Sequence, residues 1–173
     1  MTSPHTSVIS RSLIVLGCSL LSTQLATAQV TNLSGNVSGT LTGGVYHAVS
    51  SLTIPAGQTL TLQPGVIIKF VGTQQFVVHG TLLSNGTAAN PVIFTDDADD
   101  SAGGDTNNNG PSSGSPGAWY NMTFQGSTSS RVLTHTEIRY AGYAGYIAVD
   151  LNQADITLDA CTVRDTNTGA INL

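Results

Sequence analysis

Between Leu52 and Phe94 short apolar pieces alternate with polar corners, at 52–54, 59–62, 66–70, 76–78, 81–83 and 92–94. Each is rich in β-branched or aromatic residues and bounded by Gly, Pro or Asn, which predicts short strands rather than helix. Pro55-Ala56-Gly57, Pro64-Gly65 and Asn85-Gly86 read as the corners, because Gly supplies the positive φ of a sharp turn. The pieces recur: Leu52 to Phe76 and Phe70 to Phe94 are each 24 residues apart. A fixed period of that size predicts a solenoid, in which each coil stacks on the last. Phe70, Phe94 and Phe124 are expected to stack in its interior.

The flanking sequence fits that plan. Residues 29–50 are a Gly, Ser and Thr segment with weak alternation at Leu33, Val37, Leu41 and Val45, expected to cap the first coil. Residues 51–173 hold the repeats. They are interrupted at 96–118 by DDADDSAGGDTNNNGPSSGSPGA, which has no apolar period and is too long for a corner. The repeat resumes at Trp119. Residues 122–124, 147–149 and 171–173 follow at spacings of 25 and 24, and Leu133, Thr136 and Ile138 match Leu158, Cys161 and Val163 at 25. Cys161 thus takes the slot of Thr136 and is expected to pack inside as an inert thiol.

The succession LTIPAGQTLTLQPGVIIKF, VHGTLLSNGTAANPVIFTDD, GGDTNNNG, MTF and RVLTHTEIRYAG resembles the right-handed parallel β-helix repeat proteins of bacterial cell surfaces. The resemblance implies an all-β, right-handed parallel β-helix, about four to five coils long, with an N-terminal cap and one long excursion. That fold carries adhesive stalks as well as polysaccharide lyases and hydrolases, so it does not fix an activity.

Compartment and charge narrow the choice. Residues 1–28 read as a secretory signal: Arg11, an apolar run at 12–21, and Ala26-Thr27-Ala28 before Gln29. Cleavage near Ala28 would place the protein outside the cell or on its surface, with no membrane-spanning segment in the mature chain. Charged residues make up only 9% of the sequence, with five Lys and Arg against ten Asp and Glu. One cation leaves with the signal, and four cannot build the basic face that nucleic acid requires.

Three groups of residues carry candidate chemistry. Asp105-Thr106-Asn107-Asn108-Asn109-Gly110 fits the first half of a calcium loop, with oxygens from Asp105, Asn107 and Asn109 on alternate residues. Its twelfth position is Pro116 rather than a bidentate Glu, so it is no EF-hand. Asp97 and Asp99 could supply the missing charge. Tyr140, Tyr143 and Tyr146 offer rings that could stack on sugar faces. His135, Glu137 and Arg139 would share one outward row if all three lay in a strand. Asp155, Asp159 and Arg164 match no acid–base motif, and no catalytic constellation converges anywhere in the chain. The expected role is therefore structural or binding, toward carbohydrate or another cell-surface component, with calcium the one cofactor suggested. The alternative is the N-terminal part of a polysaccharide lyase or glycoside hydrolase whose catalytic coils lie beyond Leu173.

Overall fold

The structure, a computed structural model, describes residues 30–126 and 130–172; residues 1–28, read above as a secretory signal, and Leu173 lie outside them. The described chain is all-β. Its strands are β1 (Thr31–Asn36), β2 (Gly39–Leu41), β3 (Gly44–Ile54), β4 (Thr59–Leu62), β5 (Val66–Phe70), β6 (Phe76–Val78), β7 (Thr81–Asn85) and β8 (Val92–Asp96). After the excursion come β9 (Met122–Gln125), β10 (Arg131–Thr134), β11 (Thr136–Arg139), β12 (Val149–Asn152), β13 (Thr157–Asp159), β14 (Thr162–Arg164) and β15 (Ile171–Asn172). These fall on the apolar pieces of the sequence, since each is long enough for one flat run between two corners.

The described strands pair in parallel throughout, as in β4 with β7, β5 with β8 and β6 with β9. Three faces result. The first runs β3-β5-β8-β11-β14, the second β3-β6-β9-β12-β15 and the third β2-β4-β7-β10-β13. Strand β3 belongs to two faces because it is long enough to bend between them. Residues 44–48 pair with β5 and residues 52–54 pair with β6. The chain is thus a parallel β-solenoid, with β1 and β2 stacked below β3 and β4.

Side chains alternate across each strand, so one set from every face meets inside. Leu52, Phe76, Met122 and Val149 form one interior column, and Leu60 and Leu82 begin another; all are buried. Phe70 stacks on Trp119 with ring centroids 4.1 Å apart and planes 8° from parallel. Phe94 packs instead on Phe76, at 5.8 Å.

Two expected registers are corrected. Phe94 pairs with Ile68, and Phe70 faces Asp96, a spacing of 26 rather than 24. Phe70, Phe94 and Phe124 are all buried, but the long corner at 86–91 offsets Phe94 from Phe70 on the first face, while Phe124 lies on the second face, paired with Val78. Likewise Met122 pairs with Val149, not Ile147, because a 3-10 turn at Tyr143–Gly145 lengthens the preceding corner. The expected pairs Leu133 with Leu158 and Ile138 with Val163 are present. Cys161 is half-buried against the core, and its thiol donates to the Leu133 carbonyl at 3.2 Å.

One corner has no room for any side chain. A Cβ at Gly86 would run into the carbonyl oxygen of His135, with Thr134 O at 2.8 Å and the Val92 amide at 2.9 Å. These are backbone atoms, one at the corner between β10 and β11 and the others in β10 and β8, and cannot step aside. Gly86→Ala is expected to cost about 1–3 kcal/mol, read from the denaturant midpoint, whereas Gly72→Ala, with open space around it, should lose only the cost of its positive φ.

Candidate functional site

The outer side of the first face would, by alternation alone, be a cationic ladder. His47 pairs with Lys69, Lys69 with Thr95, and Arg139 with Arg164. Exposed in that row, Lys69 would sit in water. It is instead fully buried, at 0% exposure, because residues 97–118 fold back over the face as a strap. Lys69 Nζ donates to Gly104 O at 2.8 Å. His47 Nε2 lies 2.9 Å from Thr106 Oγ1 and 3.4 Å from Asp97 Oδ1. Gly103 presses on Val45 and Ile67, whose side chains leave no space for a Cβ there.

Asp99 is the strap's main anchor. Its Oδ2 accepts from Thr95 Oγ1 at 2.6 Å and from Arg139 Nη1 at 3.1 Å, while Oδ1 accepts from the Ser101 hydroxyl and amide. Arg139 also binds Glu137 through Nε and Nη2, at 2.8 and 2.6 Å. The far end is tied by Ser112, which donates its amide to Asp100 Oδ2 and its hydroxyl to Ala98 O. It is tied again where Trp119 Nε1 donates to Arg139 O at 2.7 Å.

Burial and charge act against each other across this network. Burial raises the carboxyl of Asp99, but hydrogen bonds from Ser101, Thr95 and Arg139, with the Arg139 charge, outweigh it and hold the group below its ordinary value. Burial pushes Asp96 up. Burial also pulls Lys69 down, against the charges of Asp100, Asp97, Asp99 and Asp105. His47 is lowered mainly by burial, which overrides the nearby Asp97.

The calcium candidates are only partly brought together. Asn107 Nδ2 donates to Asp97 Oδ2 at 3.0 Å. The Asp105 carboxylate accepts from the Asn109 and Gly110 amides, and Asn109 Oδ1 accepts from Ser112 Oγ. Asp99 faces Arg139 instead. Among the described residues no group of three or more His, Cys, Asp or Glu is placed to hold a metal ion. Asp97 Oδ1 and Asp100 Oδ1 are nonetheless buried without a hydrogen-bond donor.

The tyrosines divide differently from their sequence order. Tyr143 and Tyr146, at 39% and 49% exposure, stand edge-on to a third ring, Tyr120, with centroids 5.0 and 5.2 Å away. Tyr140 is elsewhere: its ring is covered by Gly114 of the strap. Tyr120 carries no sequence signal beyond its place after Trp119. It reaches Tyr143 because the corners before β9 and β12 lie one above the other, joined by Gly142 N to Tyr120 O at 2.8 Å and Tyr143 N to Trp119 O at 3.0 Å. Among the described residues no hydrogen bond engages the hydroxyls of these three rings.

The remaining candidates separate. His135 is not in a strand row: with φ 42° it sits at the corner between β10 and β11, so only Glu137 and Arg139 share the outward row. Asp155 and Asp159 are exposed, and Arg164 is paired with Asp165 and, at 3.6 Å, with Glu137. No helix among the described residues is long and apolar enough to cross a membrane. No family model, curated protein or solved structure matches the chain.

Proposed function

We propose that the protein is an exported β-solenoid that binds carbohydrate at the tyrosine corner. The observation that carries this reading is the exposed pair Tyr143 and Tyr146, braced on Tyr120 with their hydroxyls unengaged among the described residues. Rings held by other rings lose little rotamer freedom on binding, and Tyr offers both an apolar face and a polar tip. The signal-like residues 1–28 support an extracellular or cell-surface setting, where such ligands are met. A binding role rather than turnover is supported by how the acids are used. Asp99 and Glu137 are spent on Arg139.

Co-sedimentation with insoluble polysaccharides and calorimetry with soluble oligosaccharides test this directly. Tyr143→Ala with Tyr146→Ala is expected to weaken binding about tenfold or more. Stability should fall by about 1–3 kcal/mol, since each ring gives up an edge-on contact with Tyr120, so binding is compared at a temperature well below both melting transitions. Retention on no polysaccharide, or a double variant that binds like the parent, overturns the reading.

Calcium is a second ligand, proposed for the strap. Five acidic residues, Asp96, Asp97, Asp99, Asp100 and Asp105, meet Lys69, Arg139 and His47 there, and Asp97 Oδ1 and Asp100 Oδ1 lack donors among the described residues. Melting with calcium against chelator is the test. A rise with calcium concentration supports it, and an unchanged transition assigns the strap to protein contacts alone.

A further inference from the structure

Resting on that carbohydrate reading, we infer that the ligand is a neutral, extended polysaccharide lying along the solenoid axis, across the strands, from the tyrosine corner toward Ser51. Two independent features carry this: the state of the cations, and the strip of side chains below the tyrosines.

Three of the four Lys and Arg among the described residues are buried within the protein, and the fourth, Arg164, is ion-paired at the surface. Lys69 is beneath the strap at 0% exposure and Arg139 at 7% is held by Asp99 and Glu137. Arg131, 3% exposed, donates to the carbonyls of Gly126 and Gln125 at 2.6 Å each. Arg164 is paired with Asp165 and Glu137. Recognition of uronate, sulfate or phosphate groups needs a cation or a nest of amides aimed outward. The corner segments 119–121 and 142–147 contain no Lys or Arg, and the chain carries a formal net charge of −5, which repels acidic polymers. Tyrosine faces and neutral hydrogen-bonding groups are what remain, and they suit an uncharged sugar.

The strip gives the direction. Ser51, Gln74, Tyr120 and the Tyr143–Tyr146 pair stand on successive turns of one corner. Ser51 Oγ donates to Gln74 Oε1 at 3.3 Å, and Tyr120 N donates to Gln74 O at 2.9 Å. Tyr143 and Tyr146 then pack on Tyr120 from the turn above. Beside the strip, Gln75 spends both its amide hydrogens on Asn121 Oδ1 and Thr123 Oγ1, at 2.9 and 3.2 Å, which fixes its carboxamide and leaves Oε1 as an acceptor. Adjacent strands lie ~4.8 Å apart. That distance is close to the advance per residue of an extended, equatorially linked pyranose chain. A polymer along the axis therefore offers about one sugar per strand, and every turn of the corner can contribute a contact. A chain lying along a strand would meet only one turn.

Calorimetry at neutral pH on the full exported chain decides it, using β-1,4-linked glucose oligomers from dimer to hexamer and galacturonate oligomers of the same lengths. The neutral series should bind, with affinity rising about tenfold or more from dimer to tetramer. The acidic series should bind at least about tenfold more weakly at equal length. Ser51→Ala with Gln74→Ala should erase the gain with length, while loss of Tyr143 and Tyr146 weakens every member. Acidic oligomers that bind as tightly as neutral ones, or an affinity that does not grow with length, would overturn this inference and leave the carbohydrate reading standing. Binding of neither series fails both. The melting temperature of each variant reports whether a loss comes from unfolding.

Discussion

Asp99→Ala should lower stability by about 3–5 kcal/mol, the usual cost of removing one partner from a buried ion pair. For a domain of this size that is a fall in melting temperature on the order of 10 °C. Asp99 is 1% exposed and serves three donors at once: Thr95, Ser101 and Arg139. Its loss leaves Arg139 with Glu137 and a hydrogen bond from Nη1 to Ser101 Oγ, and frees the strap at its base. The pH dependence has a definite sign. The folded Asp99 carboxyl titrates below its unfolded value, so its stabilisation is complete above ~3.9 and is lost as pH falls through the lower, folded value. Asp96, raised by burial, acts oppositely in the window just above ~3.9, where the folded state holds its proton and stability declines as pH rises. Urea unfolding from pH 2 to 6 should therefore show an acid-side loss that Asp99→Asn lacks. An Asp99→Asn variant that keeps the full acid slope would mean the strap is anchored elsewhere.

Trp119→Ala should cost a similar amount, about 3–5 kcal/mol. Trp119 is fully buried, lies flat on Phe70, and closes the strap by donating Nε1 to Arg139 O. The two contributions can be separated. Trp119→Phe keeps the ring stack and removes the donor, leaving the Arg139 carbonyl buried without it, for about 1–3 kcal/mol. If Trp119→Phe is as damaging as Trp119→Ala, the hydrogen bond rather than the stack dominates this joint. Denaturant midpoints at constant slope give both values.

The strands were legible in the sequence because each is a single flat run punctuated by residues that cannot continue it. The apolar pieces at 59–62, 66–70 and 76–78 are β4, β5 and β6, residue for residue. Register was less legible. A spacing of 24 joins Leu52 to Phe76 truly and Phe70 to Phe94 by coincidence, since corners vary in length and only backbone pairing shows which residues stand opposite. The strap was legible as an interruption but not as a cover. Its acids lie some thirty or forty residues from Lys69 and Arg139, and nothing local says that they meet. One signal was present: Lys69 sits in VIIKF, on the outward side of a strand whose other residues are apolar, one turn above His47. The tyrosine corner was half legible. Tyr143 and Tyr146 stood out, Tyr140 was misgrouped by adjacency, and Tyr120 was invisible because only the stacking of two corners brings it there.

The most direct test of carbohydrate binding at the corner is amide chemical-shift mapping of the protein during titration with β-1,4-linked glucose tetramer. Shifts should concentrate at Ser51, Gln74, Gln75, Tyr120 and the 142–147 corner, with Lys69, Asp99 and the strap unmoved. Shifts centred on the strap or the third face, or none at millimolar sugar, would contradict the account.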